Sequence, residues 1–173
     1  PLVQRLRTLA KPVVCAVNGV AAGAGANIVF SCDIILAATT AKFVQSFAKV
    51  GLIPDAGGTY HLTQILGPLR AKAWAMTATP ITAQTAQDWG LVWQCCEPHA
   101  LMEAAQKMTA DLAKGATLGL AQTKHAIHTA GQLDLEAHMA LEAKIQHACG
   151  QSADYLEGVT AFLDKRPAQY SGS

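Results

Sequence analysis

The hydrophobic positions of this chain change their period part-way along. Over residues 1–97 short apolar runs alternate with small-residue turns, and beyond that point apolar residues recur at helical spacing. Leu2, Leu6 and Leu9 fall on one helical face with Arg5 and Arg7 turned away, which predicts an amphipathic helix that Lys11-Pro12 ends. The valine-rich run 13–17 predicts a buried strand. A second run, 33–37, is continuously apolar after Asp33, as a parallel strand covered on both faces would be. A short helix over 26–31 joins them as a right-handed crossover, and Ala41-Lys42-Phe43 predicts a further extended piece. Helices are predicted over 59–66, stopped by Gly67-Pro68, then over 69–77 and 82–89, with Gly90 closing the last and a strand over 91–96. From Pro98 onward the pattern is helical: 100–114, 118–129, 133–149 and 152–165. The fold class is therefore α/β over 1–97, followed by an all-helical region over 98–173, and the sequence carries no internal repeat.

Composition narrows the function. The chain has 173 residues, 51% of them hydrophobic and 14% charged, with a formal net charge of +1. That balance excludes a disordered chain and the clustered Lys and Arg of a nucleic-acid surface. No apolar run reaches membrane-spanning length, so neither nucleic acid nor membrane is expected as a partner. Five cysteines (Cys15, Cys32, Cys95, Cys96, Cys149) are an odd number without ligand spacing, which predicts free buried thiols in a reducing cytoplasm. His125 and His128 are three apart with no carboxylate in a shared motif, so no metal site is expected. Trp74, Trp89 and Trp93 are expected as core or interface anchors. The chain opens at Pro1 in what reads as the end of a helix, and a longer protein is expected.

The stretch with most chemical content is Asn18-Gly19-Val20-Ala21-Ala22-Gly23-Ala24-Gly25-Ala26-Asn27, placed between the first strand and the helix. Such a turn points unpaired N–H groups outward where a helix dipole favours negative charge. It suits a developing anion, and it is equally a packing device. A second tight turn, Leu52-Ile53-Pro54-Asp55-Ala56-Gly57-Gly58, carries one carboxylate, Asp55, ahead of a helix. That residue reads either as a proton-transfer group or as a helix N-cap.

These residues, with Lys11-Pro12-Val13-Val14-Cys15-Ala16-Val17-Asn18-Gly19, Ser31-Cys32-Asp33-Ile34, Trp89-Gly90-Leu91-Val92 and Glu157-Gly158-Val159-Thr160-Ala161-Phe162-Leu163-Asp164-Lys165-Arg166, resemble the crotonase (enoyl-CoA hydratase/isomerase) superfamily. The resemblance implies a ββα spiral core whose first part precedes Pro1. It also implies an acyl-CoA site in the part seen here, and a helical end that contacts coenzyme A and assembles the protein as a trimer or dimer of trimers. Ala24 matches a position whose N–H supplies half of an oxyanion hole, the other half lying before Pro1. Hydratases of the family carry two glutamates at positions matching Asn27 and Phe47, and neither an amide nor a phenyl ring exchanges a proton near neutrality. Asp55 matches the aspartate of the family's isomerases, and within the family the likeness is to the branch that isomerises ring epoxides of phenylacetyl-CoA in phenylacetate catabolism. Val20, Ala21, Ala22, Gly23, Asn27, Phe47 and Leu52 are expected along the substrate path, Phe162 on the adenine and Lys165 on the nucleotide phosphate. No cofactor is implied beyond coenzyme A as part of the substrate. A fatty-acyl enoyl- or dienoyl-CoA isomerase or hydratase, and a non-catalytic assembly partner of the same fold, are the alternatives.

Overall fold

The computed structural model describes residues 1–173 as two compact units. The first comprises Pro1–Arg7 and Val13–Met108, the second Thr8–Pro12 and Thr109–Ser173. In the first, α1 (Leu2–Thr8) precedes β1 (Val14–Val17), β2 (Val20–Ala22), α2 (Ala24–Val29), β3 (Ile34–Ala38), β4 (Lys42–Val44) and a 3-10 turn at Ser46–Val50. There follow α3 (Gly58–Thr77), β5 (Ile81–Thr82), α4 (Ala83–Asp88), β6 (Gln94–Cys96) and the start of α5 (Leu101–Ala113).

The strands form two three-stranded sheets, β1-β3-β6 and β2-β4-β5. All pairs are parallel except β4 with β5. The chain lays one strand in each sheet and then a helix: β1, β2, α2, followed by β3, β4 and α3. This repeated ββα unit is invisible as a sequence repeat because β2 is three residues long and sits inside the small-residue turn.

Burial explains the register. β3 is the central strand of its sheet, and Leu36, Ala37 and Ala38 are fully enclosed. Phe30 packs on Phe43 and Trp74, with ring centroids 5.7 and 6.1 Å apart, and Trp74 meets Trp89 edge-on at 6.1 Å. The Trp74 indole N–H donates to the Thr79 carbonyl at 2.8 Å, so this buried ring keeps its polar atom satisfied. Trp93 is not a core residue: it stands exposed at the turn before β6. Of the cysteines only Cys96 is buried and the other four are partly exposed, although all five are free thiols. Gly67 (φ 72, ψ 164) interrupts α3 just before Pro68, giving the two helical segments that the sequence predicts. The units divide inside α5 rather than at 97/98, because Leu101 and Ala105 are buried within the first unit.

The second unit contains the end of α5, α6 (Thr117–Thr129), α7 (Leu135–Gly150) and α8 (Ala153–Leu163). Asp134 and Ser152 cap the last two helices, accepting from Ala137 N at 2.8 Å and Tyr155 N at 3.1 Å. The chain end folds back along α8. The buried Asp154 carboxylate accepts the Ser171 N–H at 2.7 Å and the Gly172 N–H at 3.1 Å, while Arg166 grips Glu157 through two bonds of 2.7 and 2.9 Å. Arg166, helped by the Gln169 N–H, holds the Glu157 carboxyl down at about 2.

Candidate active site

The site is built from the turn after β1. In β2 the pleat sends Val20 (72% exposed) and Ala22 to one open face and Ala21 to the core. Ala21 thus packs in the core, while its two neighbours face outward. Gly23 follows with φ 54 and ψ −127, a conformation that L side chains rarely adopt. Its N–H donates to the Val44 carbonyl at 2.8 Å, fixing the turn to β4. A Cβ at this glycine would stand 3.1 Å from Ser46 Oγ and 3.6 Å from the Phe47 ring, so Phe47, 8% exposed, lies directly against the turn. Helix α2 starts at Ala24, two residues earlier than the sequence predicts. As first helical residue Ala24 has no intrahelical acceptor for its N–H, and no other carbonyl of the chain takes it.

One turn into α2, Asn27 is fully buried, and its amide is engaged at both ends. Nδ2 donates to the Asp55 carbonyl at 2.9 Å, and Oδ1 accepts Gln45 Nε2 at 2.8 Å. Both ends of the Asn27 amide thus bond the chain itself, a structural role on this helix. The missing side chain of Gly58 makes room for it, since a Cβ there would collide with the Asn27 amide.

Asp55 is exposed, and its carboxylate has no hydrogen-bond or ion-pair partner. Its carbonyl, by contrast, is doubly held, by Asn27 and by the Gly58 N–H at 2.7 Å. Ala56 (φ 48) and Gly57 (φ 78) then turn the chain through two successive left-handed residues, and Gly57 is the N-cap of α3 with no side-chain bond. The helix-cap reading of Asp55 is thereby overturned. Leu52 is exposed beside this turn and lines a cleft of about 330 Å³ with Ile53, Pro54, Thr59 and Met76.

The structure thus brings together Gly23, Ala24, Asn27, Phe47 and Asp55, through one glycine–ring contact and one hydrogen bond. Phe162 and Lys165 belong to the second unit. There Phe162 is 82% exposed and lines a cleft of about 430 Å³ with Tyr155, Val159 and Tyr170, and Lys165 has φ 54. Sequence reasoning missed Gln45 and the specific need for glycine at 58. The signal for Gln45 was present: it lies two residues from Phe43 and so on the same inward face of the strand and its extension.

Taken together, two small parallel-rich sheets wound in ββα units, a free main-chain N–H at a glycine turn and an exposed carboxylate on a residue whose carbonyl is held twice define a class of spiral α/β protein. The chain belongs to the enoyl-CoA hydratase/isomerase family, whose model matches residues 1–173. It is 47% identical over 99% of its length to the 1,2-epoxyphenylacetyl-CoA isomerase of Escherichia coli K12, covering 66% of that protein. It is 34% identical over 96% of its length to the trans-2-decenoyl-(acyl-carrier-protein) isomerase of Streptococcus mutans, covering 64% of it. Among solved structures, an enoyl-CoA hydratase from Polaromonas sp. JS666 superimposes with a TM-score of 0.94 at 36% identity, with 97% of this chain and 65% of that one covered. The chain therefore spans about two thirds of the length of these relatives.

Proposed function

We propose that this chain is part of an acyl-CoA isomerase that converts ring-1,2-epoxyphenylacetyl-CoA to the seven-membered oxepin-CoA. The observation that carries the reading is that Asn27 and Phe47, at the positions matching the hydratase glutamates, are a saturated amide and a buried ring, whereas Asp55 keeps an exposed, unpaired carboxylate. Hydration by two carboxylates is disfavoured on that arrangement, and proton transfer by one remains. The Asp55 carboxylate takes a proton from the carbon next to the thioester carbonyl, and the enolate oxygen is stabilised by the Ala24 N–H. Electrons returning from the enolate reorganise the epoxide-bearing ring to the oxepin, and the Asp55 carboxylic acid gives its proton back at a ring carbon. No atom is gained or lost. A positioned acid–base group contributes about 10²–10⁴ in rate, and one oxyanion donor about 10²–10³.

Val20, Ala22 and Leu52 line the acyl and pantetheine path in this proposal, with Phe162 on the adenine and Lys165 at the nucleotide phosphate. The exposed apolar side chains of α8 (Tyr155, Leu156, Leu163) support assembly as a trimer or dimer of trimers, which would cover them. The similarity to a trans-2-decenoyl isomerase favours a second reading, a double-bond shift in an unsaturated acyl thioester by the same carboxylate.

The test offers full-length protein the epoxide thioester and a trans-2-enoyl-CoA, with products followed by mass spectrometry. Turnover of the epoxide that falls by about 10²–10⁴ in Asp55→Asn supports the reading. Turnover of aliphatic thioesters only replaces it with the second reading, and an Asp55→Asn variant of undiminished rate removes Asp55 as the base.

A further inference from the structure

We infer that Asn27, oriented by Gln45, is the positioning residue that sets where the Asp55 carboxylate stands, and that Gly58 is glycine to admit it. The inference rests on the reading of Asp55 as the proton-transfer group.

The hydrogen bonds admit only one arrangement. The Asp55 carbonyl can only accept, so Asn27 must present Nδ2 to it; Oδ1 then faces Gln45, which must answer with its own NH₂ group. Both side chains are fully buried, and the arrangement leaves Gln45 Oε1 without a donor from the chain. A polar pair that leaves one acceptor unmatched is a poor way to fill a core. What it achieves is connection: β4's extension is linked to α2, and α2 to the main chain of the residue whose side chain is free.

The packing is matched to this connection. Asn27 projects from α2 into the space beside Gly58, the first residue of α3, where any Cβ would collide with the amide. Gly58 has no left-handed φ, unlike Gly57, so its backbone does not require glycine. The room for the amide is what requires it. The same Gly58 donates its N–H to the Asp55 carbonyl, so that one oxygen is fixed from α2 and α3 together. Asp55 thus owes its position to the two bonds on its carbonyl, one from the Asn27 side chain and one from the Gly58 N–H, and none to its carboxylate.

Three variants of the full-length protein test the inference by steady-state turnover of the epoxide thioester: Gly58→Ala, Asn27→Ala and the double substitution. Each single change should lower kcat by about 10²-fold with KM altered less than about threefold, because misplacing a reacting group by an ångström costs that much without touching substrate binding. The double variant should be no slower than Asn27→Ala, there being no amide left for the new methyl to strike. Gly58→Ala at wild-type kcat, or a double variant whose loss is the product of the singles, would overturn the inference. Should Gly58→Ala fail to fold, Gln45→Glu reads the same link. Its ionised carboxylate cannot donate to Asn27 Oδ1, so the ratio of variant to wild-type kcat at each pH should fall as pH rises through the glutamate pKa; a ratio that stays constant with pH would sink the proposal. Asp55→Asn separates the two levels. Unchanged turnover there removes Asp55 as the base, whereas a slow Asp55→Asn beside fast Gly58→Ala and Gln45→Glu removes only the positioning role.

Discussion

Replacing Gly23 by alanine puts a number on how tightly the turn before α2 is constrained. Two effects add. The backbone sits at φ 54, ψ −127, and holding an L residue in so sparsely populated a region costs roughly 1–3 kcal/mol. The new Cβ would also lie 3.1 Å from Ser46 Oγ, a few tenths too close, and in ordinary contact with the Phe47 ring at 3.6 and 3.7 Å. The hydroxyl can rotate aside, so the backbone dominates, and the expected loss is about 1–3 kcal/mol, or some 2–12 °C in Tm for a domain of this size. If the turn relaxes instead, the Gly23–Val44 bond breaks and the Ala24 N–H swings away. Stability then recovers while kcat falls by about 10²–10³. Chemical denaturation and steady-state turnover on full-length protein read the two branches. Gly25→Ala is the control, because Gly25 has no left-handed φ and open space around its Cβ position; it should be neutral or stabilising by up to about 1 kcal/mol. A Gly23→Ala protein matching Gly25→Ala in both stability and kcat would refute the argument.

Leu36→Ala in the central strand should destabilise by about 2–5 kcal/mol, because that side chain is fully enclosed and the cavity cannot drain to the surface; a loss below about 1 kcal/mol in denaturant melts would contradict the packing described. The Glu157 carboxyl is depressed in the folded chain, so its contribution is complete above its ordinary value of 4.5 and is lost as pH falls toward about 2. Exchange of the Gln169 N–H, which Glu157 accepts, should therefore quicken relative to its intrinsic rate over that acid window in the wild type. In Glu157→Gln it should already be fast at pH 7, and slow exchange there would count against the salt bridge as the clasp.

How legible all this was depended on the range of the interaction. Strand β3 announces itself as an isoleucine- and leucine-rich run because a buried parallel strand needs both faces apolar; the valine-rich β1 carries the same pattern but lies at the sheet edge, where only Val17 is buried and the expected burial is not met. Gly67-Pro68 likewise marks the break in α3, since φ 72 suits glycine and proline cannot continue the hydrogen-bond ladder. Strand β2 was hidden: three residues among alanines and glycines carry too little pattern, and what makes them a strand is pairing with β4 twenty-two positions on, as Val20↔Lys42. At the site, Asp55 stood out as a solitary carboxylate between punctuating residues. That its own side chain caps nothing, and that Asn27 holds its carbonyl, are long-range facts across 28 positions that no local window contains. The difference between Ala21 and its neighbours was hidden for a simpler reason. Neighbours in a strand face opposite ways, and a turn reading of Val20–Ala22 erased that distinction.

The free donor at residue 24 belongs to the peptide unit, and this decides what mutation can and cannot reach. Exchanging the methyl of Ala24 for another side chain leaves the N–H where it is, so conventional scanning would report the position as unimportant. Under the proposed function, drift at the surface positions 20, 22 and 52 would likewise reshape the acyl path without disturbing that N–H. Only an edit to the amide itself, such as an ester linkage at that bond, removes the donor alone.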